Sequence, residues 1–341
     1  MNKKKVLLAA PLLLALGTSA FAQSGEVNII CSAQADWCNL MQTTFGKTRG
    51  IKVNMTLKGS GEALAQLVAE RANPKTDLWF GGTGDPHLLA AEQNLTLEYK
   101  SSALTQLHPW AQKQAAQAGF KTVGVYSGPL GFGYNTELLA KKKLPVPKVW
   151  ADLLKPEYKG EIQVSDPRAS GTAYTMIATL VQLMGEDKAF TYLSALHQNV
   201  STYPRSGVGP IKAVARGEAA VSISFVHDAP GEKAQGFPVD AITPADGTGA
   251  EIGSMSIVKG SRNLDNAKAF YEWALTPGAQ QFGAAAKQFQ LPSNKNTPVD
   301  PRVPDFKKIK LIDYDYAQYG QSAIRKQLIL NWERKVFNQP K

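Results

Sequence analysis

The sequence of 341 residues predicts an α/β protein of two lobes. Short runs rich in Val and Ile alternate with longer amphipathic runs, and this repeated β-α-β order is typical of parallel-rich sheets flanked by helices. The length is sufficient for two domains. The run at 250–258 predicts a strand that returns from the second unit to the first. We therefore predict two lobes joined by crossing strands, with a ligand cleft at their junction.

Residues 1–22 have the pattern of an export signal. Three lysines at 3–5 form a basic start, 6–16 is an apolar run, and 20–22 fits an A-x-A cleavage site. The apolar run is too short to span a membrane. We therefore expect removal of these residues and export of a soluble mature chain.

The first unit is predicted to contain three strands, each followed by a helix. The strands are expected at 26–31, 51–57 and 77–80, and the helices at 39–48, 62–73 and 86–93. Ligands of such sheets bind beyond the carboxyl ends of the strands. The loops expected to face the cleft are therefore 32–36, 58–61 and 81–85.

The second unit is predicted to open with paired strands at 122–126 and 130–135, separated by a turn at Gly128-Pro129. Further strands are expected at 161–164, 202–203 and 219–225. Helices are expected at 173–184, 186–196, 210–216, 265–274, 278–285 and from residue 306 onward. The predicted boundaries are 24–126 with 254–308 for lobe I, and 127–253 with 309–341 for lobe II.

The stretch 165–174 carries the clearest binding signal, because a strand ends there and a helix begins after a Ser-Gly-Thr turn. A helix start exposes backbone N–H groups and the positive end of the macrodipole. Ser170 and Thr172 add hydroxyl donors, and Gly171 allows the backbone to approach a ligand. This combination suits a phosphate or carboxylate group. Ser170 is also a common type of helix cap, and capping alone would explain its presence.

Other polar residues lie at predicted strand ends and helix starts. Several of them suit an oxyanion, namely Ser32, Ser60, Thr83 and Ser206, the last with Gly207 beside it. Carboxylates repel a bound anion, so His227, Asp228 and Glu251 suit neutral donors such as sugar hydroxyls. Together the two groups indicate a ligand with an anionic head and a polyhydroxyl body. Ordinary roles, such as a turn cap for Asp228 or a surface position for Glu251, remain open at this point.

Composition and motifs argue against several other classes. The net charge of +10 is mild, and the lysines at 141–143 fit a solvated helix end, so we expect no nucleic-acid partner. The sequence has no G-x-S-x-G or H-E-x-x-H motif, and its four histidines lack metal-ligand spacing. We therefore expect no enzyme activity, no metal and no cofactor. Cys31 and Cys38 are expected to form a disulfide in an exported protein.

Several segments resemble the periplasmic solute-binding proteins of ATP-driven importers, in the group that contains the ferric-iron-binding proteins. They are AAVSISFVHD at 219–228, GFGYNTEL at 131–138, PVPKVWADLL at 145–154, KAFYEW at 268–273 and GAQQ at 278–281. The resemblance implies the two-lobed type II periplasmic-binding fold. Ferric-binding members place adjacent tyrosines where this chain has Phe225-Val226-His227-Asp228, so their iron site is not expected here.

Within this group, the chain most resembles the hexose-phosphate-binding members, and that resemblance implies two sets of contacts. The phosphate would be held by Ser32, Ser60, Thr83, Ser170, Gly171 and Thr172. The sugar hydroxyls would be held by His227, Asp228 and Glu251.

The implied function is capture of a phosphorylated sugar such as glucose 6-phosphate. A periplasmic monomer would close its lobes over the ligand and deliver it to a permease and ATPase of the inner membrane. The alternatives are a binder of an aminoalkylphosphonate or phosphate, a binder of Fe(III) with a synergistic anion, and a secreted phosphatase.

Overall fold

The computed structural model describes residues 25–341, and the predicted export signal at 1–22 lies outside the described residues. Within this range, ten strands form one mixed sheet. They are β1 (Glu26–Cys31), β2 (Lys52–Leu57), β3 (Leu78–Phe80), β4 (Val123–Asn135), β5 (Ile162–Val164), β6 (Val200–Thr202), β7 (Val221–Phe225), β8 (Val239–Ile242), β9 (Ala250–Ile257) and β10 (Leu291–Pro292). The strand order is β2-β1-β3-β9-β4-β7-β5-β6, and β8 and β10 also pair with β4.

Helices connect these strands. They are α1 (Ala35–Arg49), α2 (Ser60–Ala69), α3 (Gly84–Glu92), α4 (Pro109–Gln117), α5 (Thr136–Lys142), α6 (Gly171–Met184), α7 (Glu186–His197), α8 (Gly209–Ala215), α9 (Asp228–Lys233), α10 (Leu264–Ala274), α11 (Pro277–Gln280), α12 (Phe282–Ala285), α13 (Tyr316–Tyr319) and α14 (Ser322–Trp332). In the part of the chain that the structure describes, none of the helices has the length and apolar character needed to cross a membrane.

The sheet has two parallel parts joined by antiparallel strands. β1 pairs in parallel with β2 and β3, and β5 pairs in parallel with β6 and β7. β4 and β9 lie between these parts and pair antiparallel with their neighbours. The predicted α/β class is confirmed.

β4 runs without a break through the position where the sequence predicted a turn. Residues 123–129 pair with β9 and residues 130–134 pair with β7, so the prediction of two strands with a turn at Gly128-Pro129 is wrong. Pro129 keeps a place in the strand because its carbonyl accepts from the Val226 N–H at 3.0 Å. A Cβ atom at residue 128 would overlap the ring of His227. The Gly-Pro pair therefore marks a close packing contact rather than a chain reversal.

The buried apolar side chains form two large cores, one on each side of this crossing. The first core includes residues from β1, α1, the start of β4 and α10, and its rings Phe45 and Phe270 lie 5.0 Å apart. The second core includes residues from the end of β4, α6, α7, β7 and α14, among them Tyr174 and Trp332. The division between the cores falls within β4, while the predicted lobe boundaries stay a prediction.

Other differences from the sequence concern the tail and some short elements. A helical tail was expected from residue 306, but residues 309–315 are extended because their backbone pairs elsewhere, for example Ile312 N–H with Thr248 O at 2.9 Å. Regular helix resumes only at α13 and α14. The predicted helix 278–285 is divided into α11 and α12, and the sequence did not predict α4, α5 or β8.

Candidate ligand site

A cavity of about 550 Å³ lies between the two cores, at the carboxyl ends of the parallel strands. The loops after β1, β2, β3, β5 and β7 all reach it, as expected for a ligand site in such a sheet. This volume is within the range of small-molecule sites. Its lining includes every residue that the sequence nominated for ligand binding: Ser32, Ser60, Thr83, Ser170, Gly171, Thr172, Ser206, Gly207, His227, Asp228 and Glu251.

In the described part of the chain, six helices begin at this cavity, and the four longest of them are α1, α2, α3 and α6. The residues that precede the first turns of α1, α2, α3 and α6 all line it, namely Gln34, Gly59, Thr83 and Ser170. Each helix start carries a partial positive charge, which favours a bound anion. Ser170 Oγ also accepts from the Ala173 N–H at 3.5 Å, so the capping role and the cavity position occur together.

The hydroxyl groups near these helix starts are arranged as donors. Ser60 Oγ accepts from the Thr83 N–H at 3.1 Å, and Ser32 Oγ accepts from Trp79 Nε1–H at 2.8 Å. Tyr126 Oη accepts from the Gly82 N–H at 2.8 Å. A hydroxyl that already accepts from the protein retains its own proton for another partner. Thr83 Oγ1 is buried and has no hydrogen-bond partner among the described residues.

Two glycines allow the backbone to lie close to threonine side chains at the end of the cavity that carries these hydroxyl groups. A Cβ atom at residue 171 would overlap Thr83 Oγ1, which belongs to the facing side of the cavity. A Cβ atom at residue 207 would lie 2.6 Å from Thr172 Oγ1. The Ser-Gly-Thr turn therefore needs Gly171 for the close contact. We call this end, made of Ser32, Ser60, Thr83, Ser170, Gly171 and Thr172, the anion end.

The opposite end, which we call the acid end, consists of His227, Asp228 and Glu251. His227 Nε2 lies 3.5 Å from Glu251 Oε1 and 3.6 Å from Asp228 Oδ1, and all three side chains are buried. Glu251 belongs to β9 and pairs with Gly128 of β4, against which the His227 ring packs. The acid end thus rests on the two strands that cross between the parallel parts.

Burial controls the ionisation of these three groups, because it disfavours every charged form. Burial raises the pKa of Asp228 to about 7, and Glu232 adds to the effect. The pKa of Glu251 is raised well above its ordinary value by burial and by Asp228. Burial lowers the pKa of His227 to about 3, so its imidazole is neutral at physiological pH. Neutral His227 and the two carboxyl groups can exchange hydrogen bonds with uncharged hydroxyls.

Three contacts hold the two sides of the cavity together. Gln34 Nε2 donates to Asp228 Oδ1 at 2.7 Å. The Gly61 N–H donates to the Ala169 carbonyl at 3.1 Å. Arg205 Nε donates to Glu62 Oε1 at 3.0 Å at the exposed rim. The cavity is therefore bridged by side chains and by backbone from both sides.

A family model for bacterial extracellular solute-binding proteins matches residues 76–319. The chain belongs to this family. Its members are solute-binding components of transport systems rather than enzymes. Among the described residues, no group of three or more His, Cys, Asp or Glu side chains has an arrangement that could hold a metal ion.

Three similar proteins match nearly the whole chain. The structure of the periplasmic binding protein AfuA from Actinobacillus pleuropneumoniae, with fructose 6-phosphate bound, has 43% sequence identity and a TM-score of 0.90 over 92% of this chain and 99% of that one. The structure of the periplasmic binding protein P5PA has 38% identity and a TM-score of 0.88 over the same shares. An uncharacterized protein of Haemophilus influenzae is 42% identical over 98% of this chain and 97% of its own length. The resemblance inferred from the sequence is confirmed.

The predicted disulfide is also confirmed. Cys31 and Cys38 are bonded, with their Cα atoms 6.2 Å apart. The bond joins the last residue of β1 to the first turn of α1, and the enclosed loop contains Ser32 and Gln34. A cross-link of this kind limits the conformations of the loop. It therefore supports the position of two residues that line the cavity.

Sequence reasoning missed several cavity residues. Gln34 lies in a loop that is predicted to face the cleft, but only the structure shows its hydrogen bond to Asp228. Tyr126 lies inside β4, where nothing in the sequence separates a cavity-facing tyrosine from a core tyrosine. Glu62 and Arg205 are 143 positions apart and meet only because the fold brings α2 to the loop before α8.

Proposed function

We propose that this protein is the periplasmic binding component of an ABC transporter and that it captures a phosphorylated sugar, such as glucose 6-phosphate or fructose 6-phosphate. The observation that carries the proposal is the joint presence of the two ends in one cavity. Four helix starts with hydroxyl donors suit a phosphate, and a buried set of carboxyl and imidazole groups suits sugar hydroxyls. The fructose 6-phosphate in the AfuA structure supports the same ligand class.

In this proposal the phosphate occupies the anion end. Ser170, Thr172 and the N–H groups at the start of α6 donate from one side, and Ser32, Ser60 and Thr83 donate from the other. Ser206 and Gly207 complete the lining beside Thr172. Hydrogen bonds to a charged group contribute about 1.5–3 kcal/mol each. Three or four such bonds are sufficient for micromolar or tighter binding.

The sugar hydroxyls occupy the acid end, where His227, Asp228 and Glu251 accept from or donate to them. Closure of the two sides over the ligand follows from bending of β4 and β9, the strands that join the two parallel parts. The closed form would then dock on a permease driven by a cytoplasmic ATPase. In this view residues 1–22 direct export, and the mature protein acts as a monomer in the periplasm.

Calorimetric titration of the ligand-free mature protein tests the proposal. We expect micromolar or tighter binding of glucose 6-phosphate or fructose 6-phosphate, and weaker binding of inorganic phosphate and of the unphosphorylated sugars. Ser170→Ala should weaken sugar phosphate binding roughly 10- to 100-fold, because one donor to a charged group is lost. The matched control is Ser201→Ala, on β6 outside the cavity, which should leave the affinity unchanged.

Other results would contradict the proposal. Binding of 2-aminoethylphosphonate or of Fe(III) with an anion, without binding of any sugar phosphate, would favour those alternative ligands. Release of inorganic phosphate from glucose 6-phosphate would indicate a phosphatase.

A further inference from the structure

The acid end contains two buried carboxyl groups whose closest partners are uncharged. Asp228 Oδ1 accepts from the Gln34 amide at 2.7 Å, and Glu251 Oε1 lies 3.5 Å from His227 Nε2. His227 is neutral because burial lowers its pKa to about 3. Among residues 25–341, no Lys or Arg nitrogen lies within 4.0 Å of either carboxyl group. Lys212 also lines the cavity, but its nitrogen lies more than 4.0 Å from both carboxyl groups.

The surrounding charges are also negative on balance. Lys212 acts on Asp228, but it is exposed and faces Glu232 as well. Glu251 is affected by Asp228 and by the buried Asp85, and Arg325 acts in turn on Asp85. Even with Lys212 nearby, burial raises the pKa of Asp228 to about 7, so this carboxyl group is ionised at pH 8. The cavity thus attracts an anion at one end and repels it at the other.

We infer that the acid end restricts the ligands to sugar monophosphates and rejects sugars that carry a second phosphate or a carboxylate at the end remote from the first phosphate. This inference rests on the proposed function and specifies its substrate class. A hydroxyl can donate a hydrogen bond to a carboxylate, whereas a fully ionised phosphate or carboxylate has no proton with which to do so. Like charges at close range in a poorly hydrated site repel strongly. Selectivity then comes from repulsion of the wrong ligand as well as attraction of the right one.

The test compares matched ligands by calorimetric titration at pH 8. The pairs are fructose 6-phosphate with fructose 1,6-bisphosphate, and glucose 6-phosphate with 6-phosphogluconate. We expect the second member of each pair to bind at least ~100-fold more weakly. The double variant with Asp228→Asn and Glu251→Gln should bring the two affinities at least ~10-fold closer, because amides of the same shape do not repel an anion.

A control separates charge from a general loss of binding. Ser170→Ala acts at the anion end, so it should weaken both members of a pair and leave their ratio unchanged. Equal binding of both members by the unaltered protein would overturn the inference. An unchanged ratio in the folded double variant would overturn it too, since size rather than charge would then exclude the larger ligand. Absence of binding by every monophosphate would instead refute the proposed function itself.

Discussion

The two ends of the cavity present different groups to a ligand. The anion end uses helix starts, hydroxyl groups and glycines, and none of its six residues titrates near neutral pH. The acid end places two carboxyl groups, those of Asp228 and Glu251, within 3.6 Å of the His227 imidazole. Helix dipoles and backbone N–H groups exist wherever a helix begins, so the anion end adds little cost to folding. Buried ionisable groups oppose folding once they are charged, so we expect the acid end to reduce stability when Asp228 is ionised.

This difference predicts distinct responses to mutation and to pH. Changes at the anion end should lower affinity while leaving stability nearly constant at every pH. Changes at the acid end should lower affinity and raise stability, and the rise should depend on pH.

The largest effect is expected from Gly171→Ala. The added Cβ atom would overlap Thr83 Oγ1 and prevent the two sides of the anion end from closing. We expect a roughly 100-fold loss of affinity for fructose 6-phosphate, measured by calorimetry. The unfolding free energy should change by about 1 kcal/mol or less, because the free protein can open and alanine is favoured in helices.

The control for this change is Gly278→Ala in α11, where a Cβ atom meets nothing within 4 Å. It should leave affinity unchanged. Retained tight binding by Gly171→Ala would show that closure at this contact is not required.

The next effect is expected from Asp228→Asn. Affinity for the sugar phosphate should fall roughly 10- to 100-fold, because a charged hydrogen-bond acceptor is lost. The pKa of Asp228 is raised from 3.8 to about 7 in the folded protein. Between these values the folded state holds a proton that the unfolded state has released, so stability falls as pH rises from about 4 to about 7.

The asparagine variant lacks this loss. It should therefore match the unaltered protein near pH 4 and exceed it at pH 8 by up to about 4 kcal/mol, as measured by urea unfolding at several pH values. The Gln34 amide can still donate to asparagine Oδ1, so the bridge across the cavity is kept. A variant that is less stable than the unaltered protein at pH 8 would contradict the comparison between the two ends.

The sequence predicted the anion end better than it predicted the arrangement around it. A Ser-Gly-Thr turn between a strand and a helix has a local signature, so neighbouring residues alone make Ser170, Gly171 and Thr172 candidates, although the same signature also fits a helix cap. The sequence does not predict that β4 continues through Gly128-Pro129, because this pair has the composition of a turn and its contact with His227 is remote in sequence. Local chemistry is visible in a sequence, whereas pairings such as Gln34 with Asp228 depend on the tertiary fold.

A smaller effect is expected from Thr83→Val. Thr83 Oγ1 is buried and unpaired among the described residues, so its removal should cost no stability. We expect a loss of affinity of roughly 10-fold, because a donor to the phosphate disappears. Thr175→Val is the matched control, since Thr175 Oγ1 is equally buried and unpaired but does not line the cavity. Equal affinities of the two variants would remove Thr83 from the proposed phosphate contacts.

The smallest effect is expected from Glu62→Gln at the rim. Glu62 and Arg205 form an ion pair across the mouth of the cavity, but the Arg205 side chain is 71% exposed. Exposed ion pairs contribute about 0–1 kcal/mol, and salt weakens them further. The affinity for fructose 6-phosphate should therefore change about threefold or less at low salt. In about 0.5 M NaCl, where exposed charges are screened, it should not change. A larger or salt-independent change would mean that Arg205 contacts the ligand, and the anion end would then contain a charged side chain after all.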